Sequence, residues 1–387
     1  MAKMTKQTKE SAEILDTHNK VTPKELEKVL TKNVKIILDN PESAEYVPSL
    51  FVWGSPGIGK SQIVKQVAKD LGIEFIDFRL SYRDPVDLHG IPAADIQNNR
   101  AMWLPFEDLP QNPNGKGIIL FDEMSSVDKS LQNAALQIIL DRRIDKYKVP
   151  DGYYIVAAGN KVTDRAISQT MASSLSNRFL HLELDANDED WRMWGQQHDI
   201  HPAVMGFISY RPTFLHKMEG ENLERGWPSP RSWERVSTIL KKYEDEGDDH
   251  ILRKLVYGLV GNGAGVEFME FYKINQQFVN VKEMMLNPNL KIEIPERADA
   301  RYALVSAMNY QLWRGRDEEE EKKLIDGFYR INMELTSDFA SMSMMTAMEG
   351  ISKETKTTCC HKLFTNSNYK KWSEKHGKSL RKRYTFD

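Results

Sequence analysis

"LFVWGSPGIGKSQIV", Leu50 to Val64, decides the fold. A short β-favouring run leads into Gly54, Ser55, Pro56, Gly57, Ile58, Gly59, Lys60 and Ser61, and "SQIVKQVAKDL" then continues with helical period. Strand, glycine loop and helix in that order separate a phosphate-binding loop from a chance run of glycines. Glycines let the backbone wrap a phosphate with its N–H groups turned inward, and the helix N-terminus adds partial positive charge. Lys60 is placed to reach outer phosphates and Ser61 to ligate magnesium, with Gln62 completing the set of candidate binding positions.

Outward from this loop, apolar runs recur as "IEFIDF" from Ile73, "GIILFDE" from Gly117, "YYIVAAGN" from Tyr153 and "FLHLEL" from Phe179. With the Leu50 run they predict five strands of a parallel α/β sheet, since helix-period segments separate them. Upstream, Thr22 and Pro23 open a helix that runs to about Leu38. After the third strand, Leu131, Ala134, Ala135, Ile138 and Ile139 form one apolar stripe, and Gln132 and Gln137 are assigned to the far face of that helix.

Two strand ends carry further chemistry. "IILFDE" sets Asp122 and Glu123 at the end of a buried strand, where Asp122 can fix a magnesium ion and Glu123 can deprotonate an attacking water. "IVAAGN" puts Asn160 within reach of a γ-phosphate or its water, although a turn asparagine after glycine is the favoured reading when the residue is taken alone. Arg178 precedes the fifth strand in "SSLSNRF", and Arg231 opens a helix in "PSPRSWERV". Taken singly, either reads as well as a surface arginine as a functional one; together, in this order, they form a pattern.

The chain has 387 residues, enough for two or three domains. With 40% hydrophobic and 28% charged residues and a net charge of -3, it reads as an ordinary globular protein with no whole-chain case for nucleic acid or membrane. The polar start lacks the apolar centre of a signal peptide and no apolar run approaches the ~20 residues of a span, so a cytoplasmic location is expected. Cys359 and Cys360 are neighbours that cannot close an ordinary disulfide and are expected as free thiols. The expected layout is a polar arm over 1–20, an α/β core over 21–188 with an insertion at about 81–112, a helical domain over 189–292, and a helical region over 293–387 ending in a basic tail.

Three tempting features carry less. "HDIH", His198 to His201, has helical ligand spacing but no third ligand motif, and "GLVGNGAG" from Gly258 follows a helix rather than a strand, so it reads as a close-packed turn. The basic tail with Trp372 and Tyr384 could bind a nucleic-acid backbone and stack on bases, or could simply be solvated.

The order Lys60 and Ser61, Asp122 and Glu123, Asn160, Arg178, Arg231 resembles AAA+ ATPases. Within these, "RLSYRDPVDLHGIP" from Arg79 and "LQIILDRRIDKYKVPDGYYIVAAGNKVTDRAI" from Leu136 are similar to the MoxR-like group, over about Val21 to Phe271. The resemblance implies an α/β P-loop AAA+ core with a five-stranded parallel sheet, an all-helical lid domain and a further C-terminal helical region. It implies ATP with Mg2+ as ligands, Asn160 as sensor 1, Arg178 as a finger acting on the neighbouring subunit, and Arg231 as sensor 2. Arg165, Arg142 and Arg143 compete for the finger role, and Arg231 lies in "SPR" rather than the usual glycine-containing form. Implied partners are further copies in a hexameric ring, a protein client and a von Willebrand factor A domain protein. The insertion, with Trp103 and Phe106, would face the pore or a partner, or else its aromatics pack locally. A nucleic-acid-stimulated motor is the alternative function; a non-hydrolysing nucleotide switch is a third, which the intact Glu123 disfavours.

Overall fold

The apolar runs at Leu50, Gly117 and Tyr153 carry almost no polar residues, so both faces of the sheet at these strands must be covered. A computed structural model describes residues 19–104, 107–144, 146–161, 178–218, 226–243, 249–290 and 293–383. It divides into two compact units at Ala186 and Asn187.

In the first unit, β1 (Lys20–Val21), β2 (Leu50–Trp53), β3 (Glu74–Arg79), β6 (Gly117–Asp122), β9 (Tyr153–Gly159) and β10 (Leu180–Leu184) form one parallel sheet in the order β1-β10-β2-β9-β6-β3. The sheet thus has six strands, one more than expected. The addition is the two-residue β1, whose partners Glu183 and Leu184 lie more than 160 positions away, so no local pattern announces it. Lys20, assigned from sequence to the polar arm, belongs to it.

Alternation along the strands divides the core into two layers. Leu50, Val52, Ile118, Leu120, Val156 and Ala158 face α1 (Pro23–Asp39) and α2 (Lys60–Asp70). Phe51, Ile119, Phe121, Ile155 and Ala157 face the other way, toward α4 (Lys129–Asp141). Helix α1 starts where Thr22 and Glu25 cap each other reciprocally: Glu25 N–H donates to Thr22 Oγ1 at 3.3 Å and Thr22 N–H to Glu25 Oε2 at 2.8 Å. Asp128 caps α4, accepting from the Ser130 and Leu131 amides at 2.8 and 2.9 Å.

Between β3 and β6 the chain forms the short helix α3 (Pro85–His89) and the antiparallel hairpin β4 (Ile91–Asp95) and β5 (Arg100–Leu104). Trp103 pairs with Pro92 through its place in β5; Phe106 lies outside the described residues. Tyr82, Val86, Ile91, Ile96 and Leu104 of this insertion are exposed. A second hairpin, β7 (Arg143–Ile144) with β8 (Tyr147–Lys148), precedes β9.

The second unit is helical among its described residues: α5 (Asp188–Gln197), α6 (Pro202–Tyr210), α7 (Pro230–Tyr243), α8 (Asp249–Asn275), α9 (Val281–Leu286), α10 (Ala298–Leu312), α11 (Glu318–Glu334), α12 (Ser337–Met348), α13 (Lys356–Thr365) and α14 (Tyr369–Arg383). Trp233 centres one aromatic cluster with Phe207 and Phe268. Trp372 is fully buried in a second core with Phe328 and Tyr329, which removes it from any base-stacking role; Tyr384 lies outside the described residues. "GLVGNGAG" falls within α8, which kinks at Gly261 (φ +78°, ψ 162°), a conformation essentially confined to glycine. A Cβ there would meet Gly226 O at 2.8 Å, so the close packing expected of this stretch is that of a kinked helix.

Candidate nucleotide-binding site

Strand register brings the site together. Trp53 of β2 pairs with Gly159 of β9, Phe121 of β6 with Ala157 of β9, and Arg79 of β3 with Asp122 of β6. The loops after β2, β6 and β9 therefore leave the same edge of the sheet, the edge where open α/β folds bind ligands.

The glycine loop needs its glycines for distinct reasons. Gly57 and Gly59 have φ of +80° and +110°, in the left-handed region that side chains disfavour. Gly54 is confined by packing, since a Cβ would lie 3.0 Å from Leu184 O. Lys60, only 8% exposed, is held by its own loop and by the residue just after β9. Its Nζ donates to Gly54 O at 2.6 Å, Ser55 O at 3.2 Å and Asn160 Oδ1 at 3.0 Å. Ser61 Oγ donates to Asp122 Oδ2 at 2.5 Å. Gln62 is exposed on the first turn of α2.

The turn after β6 is equally constrained. Asp122 Oδ1 accepts from Glu123 N–H at 2.8 Å, and Glu123 has φ +62°, an uncommon state for a residue with a side chain. Met124 N–H donates to Ala158 O at 2.9 Å, and Asn160 N–H to Ser125 Oγ at 2.8 Å. Beneath the turn, Gln132 Nε2 donates to Met124 O at 3.1 Å and Val127 O at 3.2 Å. Gln132 is buried, at 6% exposure, which corrects its assignment to the far face of α4. The cause is that its amide satisfies two carbonyls that water cannot reach. Its spacing to Ala135, Leu136 and Ile139 already places it on the inward side. Gln137 is exposed, as expected.

The donor set fits a hard cation delivered with phosphate. Ser61 and Asp122 present adjacent oxygens, and Mg2+ characteristically takes one or two protein oxygens and completes its shell from phosphates and water. Among the described residues no cluster of three or more His, Cys, Asp or Glu could hold a metal by protein groups alone. Arg79, not singled out from the sequence, pairs with Asp77 at 3.1 Å, which holds its guanidinium above the usual value; the nearby Asp122 carboxylate adds to this.

The arginines separate by environment. Arg178 is 61% exposed in its side chain, with Asp141 at 3.7 Å. Arg142 is buried at the C-terminus of α4, where it donates to Pro150 O at 2.9 Å and Tyr153 O at 2.8 Å. Burial pulls its guanidinium below the usual value, and these bonds make it a brace of the segment leading into β9 rather than a group free to reach a neighbour. Arg143 is exposed in β7, and Arg165 lies outside the described residues. Arg231 is exposed at the first turn of α7, in the second unit. In "HDIH", His201 Nδ1 accepts from Ala203 N–H at 3.1 Å and so caps α6, while His198 Nδ1 bonds to Trp194 O at 2.8 Å.

Residues 50–184 match the model of the AAA family, ATPases associated with various cellular activities. No curated protein matches the chain in sequence. Among solved structures, a mutant of RuvB from Thermotoga maritima is similar at 16% identity, covering 66% of this chain and 78% of that one with a TM-score of 0.33. NtrX from Brucella abortus in complex with ADP is similar at 12% identity, covering 87% and 68%, with a TM-score of 0.37. The family match covers the glycine loop, the Asp122–Glu123 strand end and Asn160, so residues 50–184 of this chain match an AAA ATPase domain.

Proposed function

We propose that the chain is a MoxR-like AAA+ ATPase that hydrolyses ATP with Mg2+ in a ring, hexameric by resemblance, and uses the energy to remodel or activate a protein client, with a von Willebrand factor A domain protein as partner. The observation that carries the hydrolytic reading is the convergence of Lys60 with Asn160 and of Ser61 with Asp122 beside Glu123.

Loop amides and Lys60 bind the phosphates, with Lys60 exchanging its bonds to Asn160 and the loop carbonyls for phosphate oxygens. Magnesium, held by Ser61 and Asp122 with the phosphates, would neutralise charge on the β- and γ-oxygens. Asn160 orients the water and Glu123 takes its proton as the water oxygen bonds to the γ-phosphorus. The bond from that phosphorus to the bridging oxygen breaks, leaving ADP and inorganic phosphate. Arg178 of the next subunit would offset transition-state charge, a contribution of roughly 10³–10⁵ in rate, or about 4–7 kcal/mol. Arg231 is proposed as the contact from the helical lid. Exposed apolar side chains in the insertion suit an element that meets a client or partner.

Lys60→Ala should abolish binding of a fluorescent ATP analogue, because the loop loses its only charge on the phosphates. Glu123→Gln should bind it normally and turn over at least ~100-fold more slowly. Hydrolysis by Glu123→Gln at the wild-type rate would remove Glu123 as the base.

A further inference from the structure

The turn that carries Glu123 is fixed on both sides by hydrogen bonds from outside the glycine loop. Glu123 adopts a left-handed backbone, so the direction of its carboxylate depends on what holds its neighbours. Asp122 is fixed by the strand, and Met124 is pinned twice, through N–H to Ala158 O and through its carbonyl to Gln132 Nε2. One residue further, Ser125 is buried at 3% exposure and accepts the Asn160 N–H. A Cβ at Gly159 would lie 3.0 Å from Ser125 Oγ, so glycine is what lets the turn come this close to β9. The turn under the base and the backbone under Asn160 are therefore one hydrogen-bonded piece, anchored on α4 by a single buried amide.

We propose that Gln132 and Ser125 are positioning residues for turnover: Gln132 sets the Glu123 carboxylate through the 122–127 turn, and Ser125 keeps Asn160 in register with it. This rests on the reading of Glu123 as the base. Neither residue would contact nucleotide, so their loss should spare binding and slow chemistry. Gln132→Met keeps the volume and deletes both donors; Ser125→Ala deletes the acceptor alone and carries the test if the first variant fails to fold.

The full chain is assayed for ATP turnover at saturating ATP and Mg2+, and separately for affinity toward a fluorescent ADP analogue. Each variant should turn over about 10- to 100-fold more slowly, the scale of a small misplacement of a reacting group, with affinity unchanged within about twofold. In a Glu123→Gln background, Gln132→Met should lower the residual rate by less than about twofold, since both changes remove one function. Unchanged turnover in both variants, a parallel loss of affinity, or a fully multiplicative loss in the Glu123→Gln background would each overturn the proposal. The Glu123→Gln single variant reads the base assignment by itself. If it hydrolyses at the wild-type rate the base reading fails, and a slowed Gln132→Met would then act through another group, which also overturns the positioning role.

Discussion

Arg142 and Arg143 are adjacent in sequence and opposite in circumstance. Arg142 is buried and donates to two carbonyls of the segment leading into β9, whereas Arg143 is exposed. Arg142→Ala should destabilise the first unit by about 2–4 kcal/mol, because it empties a buried site and removes the side-chain donor from both carbonyls, of which Pro150 O keeps the Tyr153 N–H at 3.1 Å. Arg143→Ala should change stability by less than about 0.5 kcal/mol. Thermal unfolding of the two variants checks this, and equal midpoints would contradict the brace. The same contrast explains which site residues were legible in sequence. Gly54 to Ser61, Asp122 and Glu123 sit in contiguous motifs whose chemistry forces the residue types. Gln132 bonds two backbone carbonyls and Ser125 one backbone N–H, contacts that many polar residues could make, so only the fold reveals them. Arg142 was a contender for the finger because sequence records its charge and not its burial.

The α5–α6 turn shows how a misleading local pattern becomes a joint between elements. Asp199, inside "HDIH", has φ +55° and pairs with Lys241 of α7 and with Arg314 just after α10, both at 2.5 Å. Arg314 in turn lies over the Tyr310 ring, 3.6 Å from its centroid. Burial alone would raise the Asp199 carboxyl, but Lys241, Tyr310 and Arg314 together hold it below its ordinary value of 3.8. A carboxyl whose folded value is depressed stabilises the fold above its unfolded value, and that contribution fades as pH falls through the lower folded value. Asp199→Asn keeps a side chain tolerant of the left-handed backbone and removes only the charge. It should cost roughly 1 kcal/mol at neutral pH, a modest figure because the pair is half-exposed and screened. The difference from wild type should shrink as pH falls below the ordinary carboxyl value, vanish only below the depressed folded value, and shrink in high salt; a pH-independent difference in melting would show the charge to be irrelevant. Long helices and buried strands were visible in sequence because their periodicity is local. The two-residue strand β1 exists only through a partner far along the chain, and nothing in "KV" marks it, whereas β7 and β8 close a local hairpin.

At the scale of the whole molecule, the proposed finger makes the site composite. Arg178 is exposed, and among the described residues its ion pair with Asp141 is long. If it serves the neighbouring site, each functional interface needs Lys60 from one subunit and Arg178 from the next. Lys60→Ala and Arg178→Ala subunits should then each be inactive alone and regain activity when mixed. In a ring built from repeating head-to-tail contacts, random 1:1 mixing pairs an intact Lys60 with an intact Arg178 at roughly a quarter of interfaces. Turnover should therefore rise to about that share of wild type at equal proportions and fall toward zero at either extreme. Rescue that tracks one subunit alone would mean that variant retained activity by itself. Absence of rescue at every ratio, with assembly verified by light scattering, would remove Arg178 as a group acting across the interface.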